Sequence, residues 1–491
     1  MSFRSGQSIW PQLAKEKSGA GISLQWQVRQ MMVSAILEAR IPRNHAVPSC
    51  RELARMLGIG RNTVVLAYQQ LVDDGFLVSR ERSGYFVNNE ILADGVPQRE
   101  KRAVPSGLDW DSRLAFRPST QRNISKPRDW QQYRYPFIYG QFDPSLFPTA
   151  DWRECCLQAL HVSEIRAWAS DGVDQDDPIL VEQIQSRLLP RRGIWASPDQ
   201  ILTTIGAQQA LYLIASLLVR RESIVGVENP GYPDARNIFL AMTSQVKGLP
   251  VDEGGLVISD SLNECDYVCV TPSHQSPTTA TMPLARRHEL LDRAHKSDFV
   301  LIEDDYESQI DYVAAPSPSL KSLDRNDRVI YVGSLSKTLA PGVRFGYMVG
   351  PAELIREARA LRRLMVRHPA SNNQRAIALF LMQGHHDSLI RRLGHAYRDR
   401  WEVMREALNR HLPDASFIPT SGGTSYWIKG PDTLNVRALL ARLKEQGILL
   451  EPGDVHFMST EPPANYFRLG FSSIPIDRIE PGIQQLAKLI R

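Results

Sequence analysis

The sequence predicts a chain of two parts: a winged helix-turn-helix over residues 1–87, and an α/β domain over 135–491 with a parallel, helix-covered sheet and a smaller α+β lobe from about residue 372. Three observations predict it. A chain of 491 residues exceeds one hydrophobic core, and at roughly 100 to 200 residues per domain it holds several. Near the N-terminus a helix, a short turn and a second helix precede an alternating hairpin. Beyond residue 134, short apolar runs ending in polar residues or glycine alternate with helical stretches.

The first helix is read over Leu24–Ala39, where Leu24, Val28, Met31, Ala35 and Ile36 recur at helical spacing. Ser49 and Glu52 form an S-x-x-E capping box that opens the helix RELARML, which Gly58 ends. A three-residue turn leads into RNTVVLAYQQLVDDG. Val64, Tyr68, Leu71 and Val72 share its inward side, leaving Arg61, Asn62 and Thr63 exposed at the N-terminal end, the part of a recognition helix that meets base edges. FLVSRERSGYFV then alternates apolar and polar residues around a Ser83-Gly84 turn, with Arg80 and Arg82 near the tip. Residues 1–87 carry eleven Lys and Arg against six acids, a local +5 in a chain whose total is +4. Such an excess by itself also describes a solvated basic face.

Over about forty contiguous residues, PSCRELARMLGIGRNTVVLAYQQLVDDGFLVSRERSGYFV resembles the GntR family of bacterial regulators. The resemblance implies double-stranded operator DNA as a partner. Arg51 and Arg61 then contact phosphate or guanine, Asn62 and Thr63 sit at the groove, and Arg82 and Gly84 approach the minor groove beside Arg80. Gly60 departs from the family, whose members usually carry Ser or Thr as the recognition-helix cap.

Residues 88–134 are rich in Pro, Ser, Gln and charge and lack apolar periodicity, the composition of a linker. After it, IVGVENP, DYVCVTPSH, FVLIEDDY and VIYVGSLSK read as buried strands, and TSYWIKG, GILLEPGD and YFRLGFS as late strands of the smaller lobe. In GSLSKTLAPGVRFGYMVG, Lys337 leaves a buried strand for a loop of small residues, with Ser334, Ser336 and Arg344 suited to gripping a phosphate. In ILTTIGAQQALYLIASLL a strand turns through Gly206 into a helix, so Ala207 and Gln208 offer backbone amides at a helix N-terminus. A plain strand-to-helix turn reads the same way. FVLIEDDYES ends in acids at the carboxyl end of a strand, where ligands of open α/β sheets collect.

Taken together, these segments resemble the fold-type I aminotransferases, in which a lysine forms an internal aldimine with pyridoxal 5'-phosphate. The resemblance implies that Lys337 carries the cofactor, that Asp304 keeps its pyridine nitrogen protonated, and that Tyr306 reaches its phenolic oxygen. It places Tyr232 near the ring and gives Arg468 the carboxylate of an amino-acid ligand. Two departures stand out. Ser276 and Thr279 replace an Asn and a Gly common in the enzymes, which alters the bond to the phenolic oxygen. Trp168 and the acidic run of WASDGVDQDDP replace a Tyr and a glycine turn.

The order of head, linker and aminotransferase-like domain resembles the MocR subfamily of GntR regulators over nearly the whole chain. That resemblance implies a homodimer in which an amino acid or amine effector forms an external aldimine, frees Lys337 and changes how DNA is held. The departures favour sensing over turnover. An active aminotransferase with an accessory DNA-binding segment uses the same lysine, aspartate and arginine, and a vestigial dimerisation scaffold is a third reading. Asp234 reads either as the partner of a second effector amine or as a solvated loop acid.

Five cysteines, Cys50, Cys155, Cys156, Cys265 and Cys269, form no C-x-x-C pair, against a disulfide framework or a zinc site. No run approaches the roughly 18 to 20 apolar residues of a membrane span, and the first residues lack the apolar centre of a signal peptide, so a cytoplasmic protein is expected.

Overall fold

The computed structural model describes residues 23–38, 40–41, 46–88, 90, 108–307, 309–311, 317–418 and 422–490. Residues 1–22 of the head, the Ala39 end of its first helix and residues 91–107 of the linker stretch lie outside the described residues. The chain divides into two compact units between Arg113 and Leu114.

The first unit contains helices α1 (Leu24–Leu37), α2 (Cys50–Leu57) and α3 (Arg61–Asp73) and strands β1 (Leu77–Arg80) and β2 (Gly84–Val87). Ser49 Oγ accepts the Glu52 backbone N–H at 3.2 Å, the forward half of the capping box, and Gly58 closes α2 with φ +66°. Gly60 opens α3 with no side-chain bond. One core joins Val28, Met31, Ala35 and Ile36 to Leu53, Val64, Tyr68 and Leu71. Met32 belongs to it as well. Leu24, in the first turn of α1, stays 53% exposed and is not part of that face. Tyr68 donates to the Pro48 carbonyl at 2.9 Å and meets the Tyr85 ring edge-on at 5.1 Å, fastening α3 to the α2 entry and to the hairpin. In the hairpin Arg80 pairs with Gly84, so the turn is Glu81-Arg82-Ser83 rather than Ser83-Gly84. Arg82 takes the left-handed conformation, φ +58°, as a three-residue hairpin loop requires of one member.

The second unit contains, in chain order, β3 (Tyr135–Pro136), β4 (Ile201–Thr204), helix α4 (Ala207–Leu218), β5 (Val225–Asn229), β6 (Val246–Asp252), β7 (Gly255–Leu256), β8 (Tyr267–Val270), β9 (Val300–Asp305), β10 (Val329–Ser334), β11 (Gly346–Val349), β12 (Ser416–Phe417), β13 (Ser425–Lys429), β14 (Ile448–Leu449), β15 (Glu451–Pro452) and β16 (Tyr466–Gly470). The large sheet has the order β4-β11-β10-β9-β8-β5-β6-β7. Its centre, β10-β9-β8-β5-β6, is parallel, but β11 runs antiparallel to both β10 and β4, and β7 to β6. The sheet is therefore mixed, not parallel throughout. Only residues 335–345 separate β10 from β11, too few for the crossover of a dozen or more residues that a parallel neighbour needs. That short return is the loop that carries Lys337.

Both faces of the sheet are covered. In β9, Leu301 packs with Leu290 and Phe299 on one side, while Ile302 packs with Leu211, Val227 and Val332 on the other. The smaller lobe holds the sheet β12-β13-β16-β15. GILLEPGD splits between two sheets: β14 pairs in parallel with β3, and β15 lies antiparallel to β16.

Residues 114–134, the end of the stretch with linker composition, belong to the second unit. Gln121 donates to the Asn237 carbonyl at 3.2 Å, and Arg122 to the Phe457 and Ser459 carbonyls at 2.7 and 3.0 Å. Hydrogen bonds rather than apolar periodicity hold this strap, which is why composition reads it as loose. The acidic run after Trp168 is structural. Asp176 lies buried between Arg359 and Arg362, at 2.8 and 2.6 Å, and Asp177 pairs with Arg375 at 2.7 Å. Trp168 Nε1 donates to the Ala159 carbonyl at 2.7 Å. Among the described residues the five cysteines are free, no cluster of side chains could hold a metal ion, and no helix is long and apolar enough to cross a membrane.

Candidate functional site

One cavity of about 250 Å³ opens at the carboxyl ends of the parallel strands, and every residue singled out in the second unit for cofactor or carboxylate binding lines it. Ala207 and Gln208 come from the start of α4, Tyr232 and Ser276 from loops after β5 and β8, and Asp304 and Tyr306 from the end of β9. Ser334, Ser336, Lys337 and Arg344 come from the β10–β11 return, and Arg468 from β16.

One end of the cavity is rich in hydrogen-bond donors. The first turn of α4 points unpaired backbone N–H groups into it, and Arg344 reaches over them, donating to the Ile205 carbonyl at 3.2 Å. Gly206 permits this approach: with φ +81°, it leaves room where a Cβ would stand 3.0 Å from the Arg344 guanidinium. Ser334 Oγ accepts the Ser336 N–H at 3.2 Å, which shapes the loop immediately before Lys337.

Lys337 is half-buried, with Nζ above the Tyr139 ring, 4.1 Å from its centroid, and 6.0 Å from that of Tyr306. Burial, the largest influence, brings its amine down to about 8; Glu307 opposes that shift, and the nearby Lys126 and Arg468 cations add to it. Asp304 is also buried, and its Oδ1 has no hydrogen-bond partner. Burial, joined by the neighbouring Asp305, pushes its carboxyl up to about 7. Asp305 itself turns away from the cavity to Arg192, at 2.8 Å, and Tyr331, at 2.8 Å.

Tyr232 donates to Asp234 at 3.0 Å, and Gln208 to the same oxygen at 3.2 Å, so Asp234 is already engaged as an acceptor. Arg468 is almost wholly buried and tied to Glu451 at 2.5 Å, with its guanidinium 3.7 Å from the Tyr139 ring centroid. Burial alone would raise Glu451, but Arg468 and His456 outweigh it and hold its carboxyl at about 2. Ser276 faces the cavity, whereas Thr279 is buried with φ +61° and does not line it.

In the first unit, Arg51, Arg61, Asn62, Arg80, Arg82 and Gly84 are exposed and Thr63 is half-buried. Among the described residues none of the four arginines forms an ion pair; Arg80 stacks on Phe86, 4.4 Å from the ring centroid.

The comparisons with known proteins agree with this division. Residues 24–87 match the family described as bacterial regulatory proteins, gntR family, and residues 174–486 match aminotransferase class I and II. The HTH-type transcriptional regulator TauR of Rhodobacter capsulatus is 42% identical over 96% of this chain and 97% of its own. The chain is a MocR-subfamily regulator of the GntR type. The probable rhizopine catabolism regulatory protein MocR of Rhizobium meliloti is 28% identical over 95% of this chain and 94% of its own. Among solved structures, LysN, an alpha-aminoadipate aminotransferase from Thermus thermophilus complexed with N-(5'-phosphopyridoxyl)-L-leucine, is similar with a TM-score of 0.70. It is 25% identical and covers 78% of this chain and 98% of its own. This MocR-type chain is thus a transcription regulator with an aminotransferase-like domain.

Several residues of the regulator's cavity were not legible in its sequence. Ile124 and Lys126 arrive from the strap, Tyr139, Gly140 and Gln141 from the segment after β3, and Pro341 from the Lys337 loop. Only the last two groups had a signal: an apolar run that stops at Gly140, and the loop already singled out. Lys126 sits in polar sequence and had none.

Proposed function

We propose that this regulator holds pyridoxal 5'-phosphate on Lys337 and uses it to sense an amino acid or amine, passing the result to operator DNA through its winged helix. The observation that carries the reading is the orphaned Asp304 carboxylate. A buried acid without a partner is costly, and a protonated pyridine nitrogen is the partner it lacks. The other residues fit the same group. Arg344, Ser334, Ser336 and the α4 amides of Ala207 and Gln208 would hold its phosphate, and Tyr232, Ser276 and Tyr306, which line the same cavity, would hold its ring and phenolic oxygen. When bound, pyridoxal phosphate supplies an aldehyde that condenses reversibly with primary amines and a ring whose absorption reports the exchange.

Lys337, with its amine brought down to about 8, has an appreciable uncharged fraction at neutral pH, the form that an aldehyde would require of it. Arg468 presents a cation for the effector's carboxylate. In the head, Arg61, Asn62 and Thr63 at the start of α3 enter the major groove, Arg51 meets the backbone, and Arg80, Arg82 and Gly84 follow the adjacent minor groove. A homodimer places two such heads on two half-sites.

The purified protein tests this. Visible cofactor absorption that Lys337→Ala abolishes, and that shifts with an added amino compound together with a change in operator affinity, is the expected result. Absence of such absorption overturns the cofactor reading. Sustained conversion of an amino acid and a keto acid through many turnovers replaces sensing with catalysis.

A further inference from the structure

The Lys337 amine and the Lys126 amine converge on one point. A Cβ at Gly140 would stand 2.8 Å from Lys337 Nζ and 3.0 Å from Lys126 Nζ, so the two nitrogens lie within about 6 Å of one another. Gly140, with φ +71°, is the residue whose missing side chain allows this. Lys126 is half-buried in the cavity wall beside the Tyr139 ring, 5.6 Å from its centroid, and no side chain among the described residues forms an ion pair or hydrogen bond with its amine. Burial and Arg468 lower its pKa, against Glu451 and Asp234.

The other cations of the cavity are accounted for. Arg344 belongs to the phosphate end, Lys337 to the aldehyde, and Arg468 is neutralised in large part by Glu451 at 2.5 Å, whose second neighbour His456 lies at 2.9 Å. Lys126 is the surplus. A half-buried cation lining the cavity, with no hydrogen-bond or ion-pair partner among the described residues, is a site for an anion.

We infer that Lys126 joins Arg468, which shares the Tyr139 ring with it, in anchoring the carboxylate of the effector, which is therefore an amino acid short enough to reach from the Lys337 amine to a second amine within about 6 Å. The inference rests on the proposed cofactor reading, which supplies the place of the amine. Its consequence lies in where Lys126 sits. The strap of residues 114–134 is continuous in the chain with the segment leading back to the head, so an effector held by Lys126 bears directly on that strap. An amine without an acidic group reaches the cofactor carbon and leaves the strap untouched.

The test uses the full-length, cofactor-loaded protein and two matched pairs of probes: 3-aminopropanoate with propylamine, and glycine with methylamine. Cofactor absorption gives a half-saturating concentration for each. With Lys126→Ala, and again with Lys126→Gln, at least one acid-bearing probe is expected to weaken by about tenfold or more relative to its plain amine, the worth of a charged hydrogen bond, and the ratio cancels the shift that the Lys337 amine takes when its neighbouring cation is removed. Lys126→Arg retains most of the preference. Hydrogen exchange across residues 118–130 slows with the acid-bearing probe and not with the amine. If both lysine-removing variants keep the full preference for the acid while the amine response is intact, Lys126 is not the anchor and the inference falls alone. If the unsubstituted protein responds to none of the four probes, the underlying reading falls with it.

Discussion

Asp304 and Asp305 are adjacent in β9 and have opposite surroundings: Asp305 is bound by Arg192 at 2.8 Å, whereas Asp304 lines the cavity and its Oδ1 has no partner among the described residues. Strand alternation sends the two carboxylates to different faces, so one stabilises the domain and the other waits for a ligand. Substitutions at the two positions should therefore behave differently.

Asp304→Asn removes the uncompensated acid and, on the proposed reading, the group that would meet the cofactor's ring nitrogen. Cofactor affinity should fall by about tenfold or more, as loss of a charged hydrogen bond implies, with the cofactor-free protein no less stable. The pH dependence follows from the raised pKa. The folded protein binds this proton more tightly than the unfolded chain, so Asp304 costs nothing below about pH 4 and progressively destabilises the cofactor-free protein as pH rises to about 7. Full expression of a shift from 3.8 to about 7 amounts to an upper bound on the order of 4 kcal/mol. Thermal unfolding of the cofactor-free forms between pH 4 and 8 should show a shallower decline for Asp304→Asn.

Arg192→Leu tests the other carboxylate. Arg192 and Asp305 are both buried, and the arginine also donates to Ser273 at 2.8 Å and to the Ser317 carbonyl at 3.0 Å. Its removal leaves a buried charge uncompensated and should cost about 3 to 5 kcal/mol in chemical denaturation of the second unit. Equal stability of variant and parent would mean that Asp305 takes up a proton at little cost.

On the proposed reading Lys337 would bond the cofactor aldehyde, and only its uncharged amine can do so. Because burial brings the amine down to about 8, the rate at which cofactor-free protein captures pyridoxal phosphate should rise with pH up to about 8 and level off above it. Stopped-flow absorption measures this. A rate still climbing steadily to pH 10 would show a lysine as solvated as a surface one.

DNA affinity should fall steeply with salt. Arg51→Ala or Arg82→Ala, each removing an exposed cation that forms no ion pair among the described residues, should weaken binding on all sequences and reduce the slope of log K against log salt by about 1. Arg61→Ala, at the start of α3, should also relax specificity at its base. Fluorescence anisotropy on operator and random DNA separates the two behaviours.

Local features of the sequence were enough for the elements and for most of the cavity wall. Ser49, Gly58 and Gly60 bound helices through their own backbone preferences, and the apolar runs that became β5, β8, β9 and β10 each end in residues that line the ligand face or lie beside it. Lys337, Asp304 and Arg344 were therefore readable in advance, because a strand end and a short loop leave a side chain few places to go.

What needed the tertiary structure was whatever depends on distant chain segments meeting. The antiparallel return of β11 follows from loop length and pairing rather than from its apolar residues, which read equally as a parallel strand. Glu451 neutralises Arg468 only because β15 and β16 pair in one register. The strap at 114–134 looks like a linker in composition, and Lys126 within it looks like any solvated lysine. Periodicity reports burial against a core, but side chains held by hydrogen bonds to distant carbonyls leave no periodic trace, so only the folded chain brings Lys126 beside Lys337.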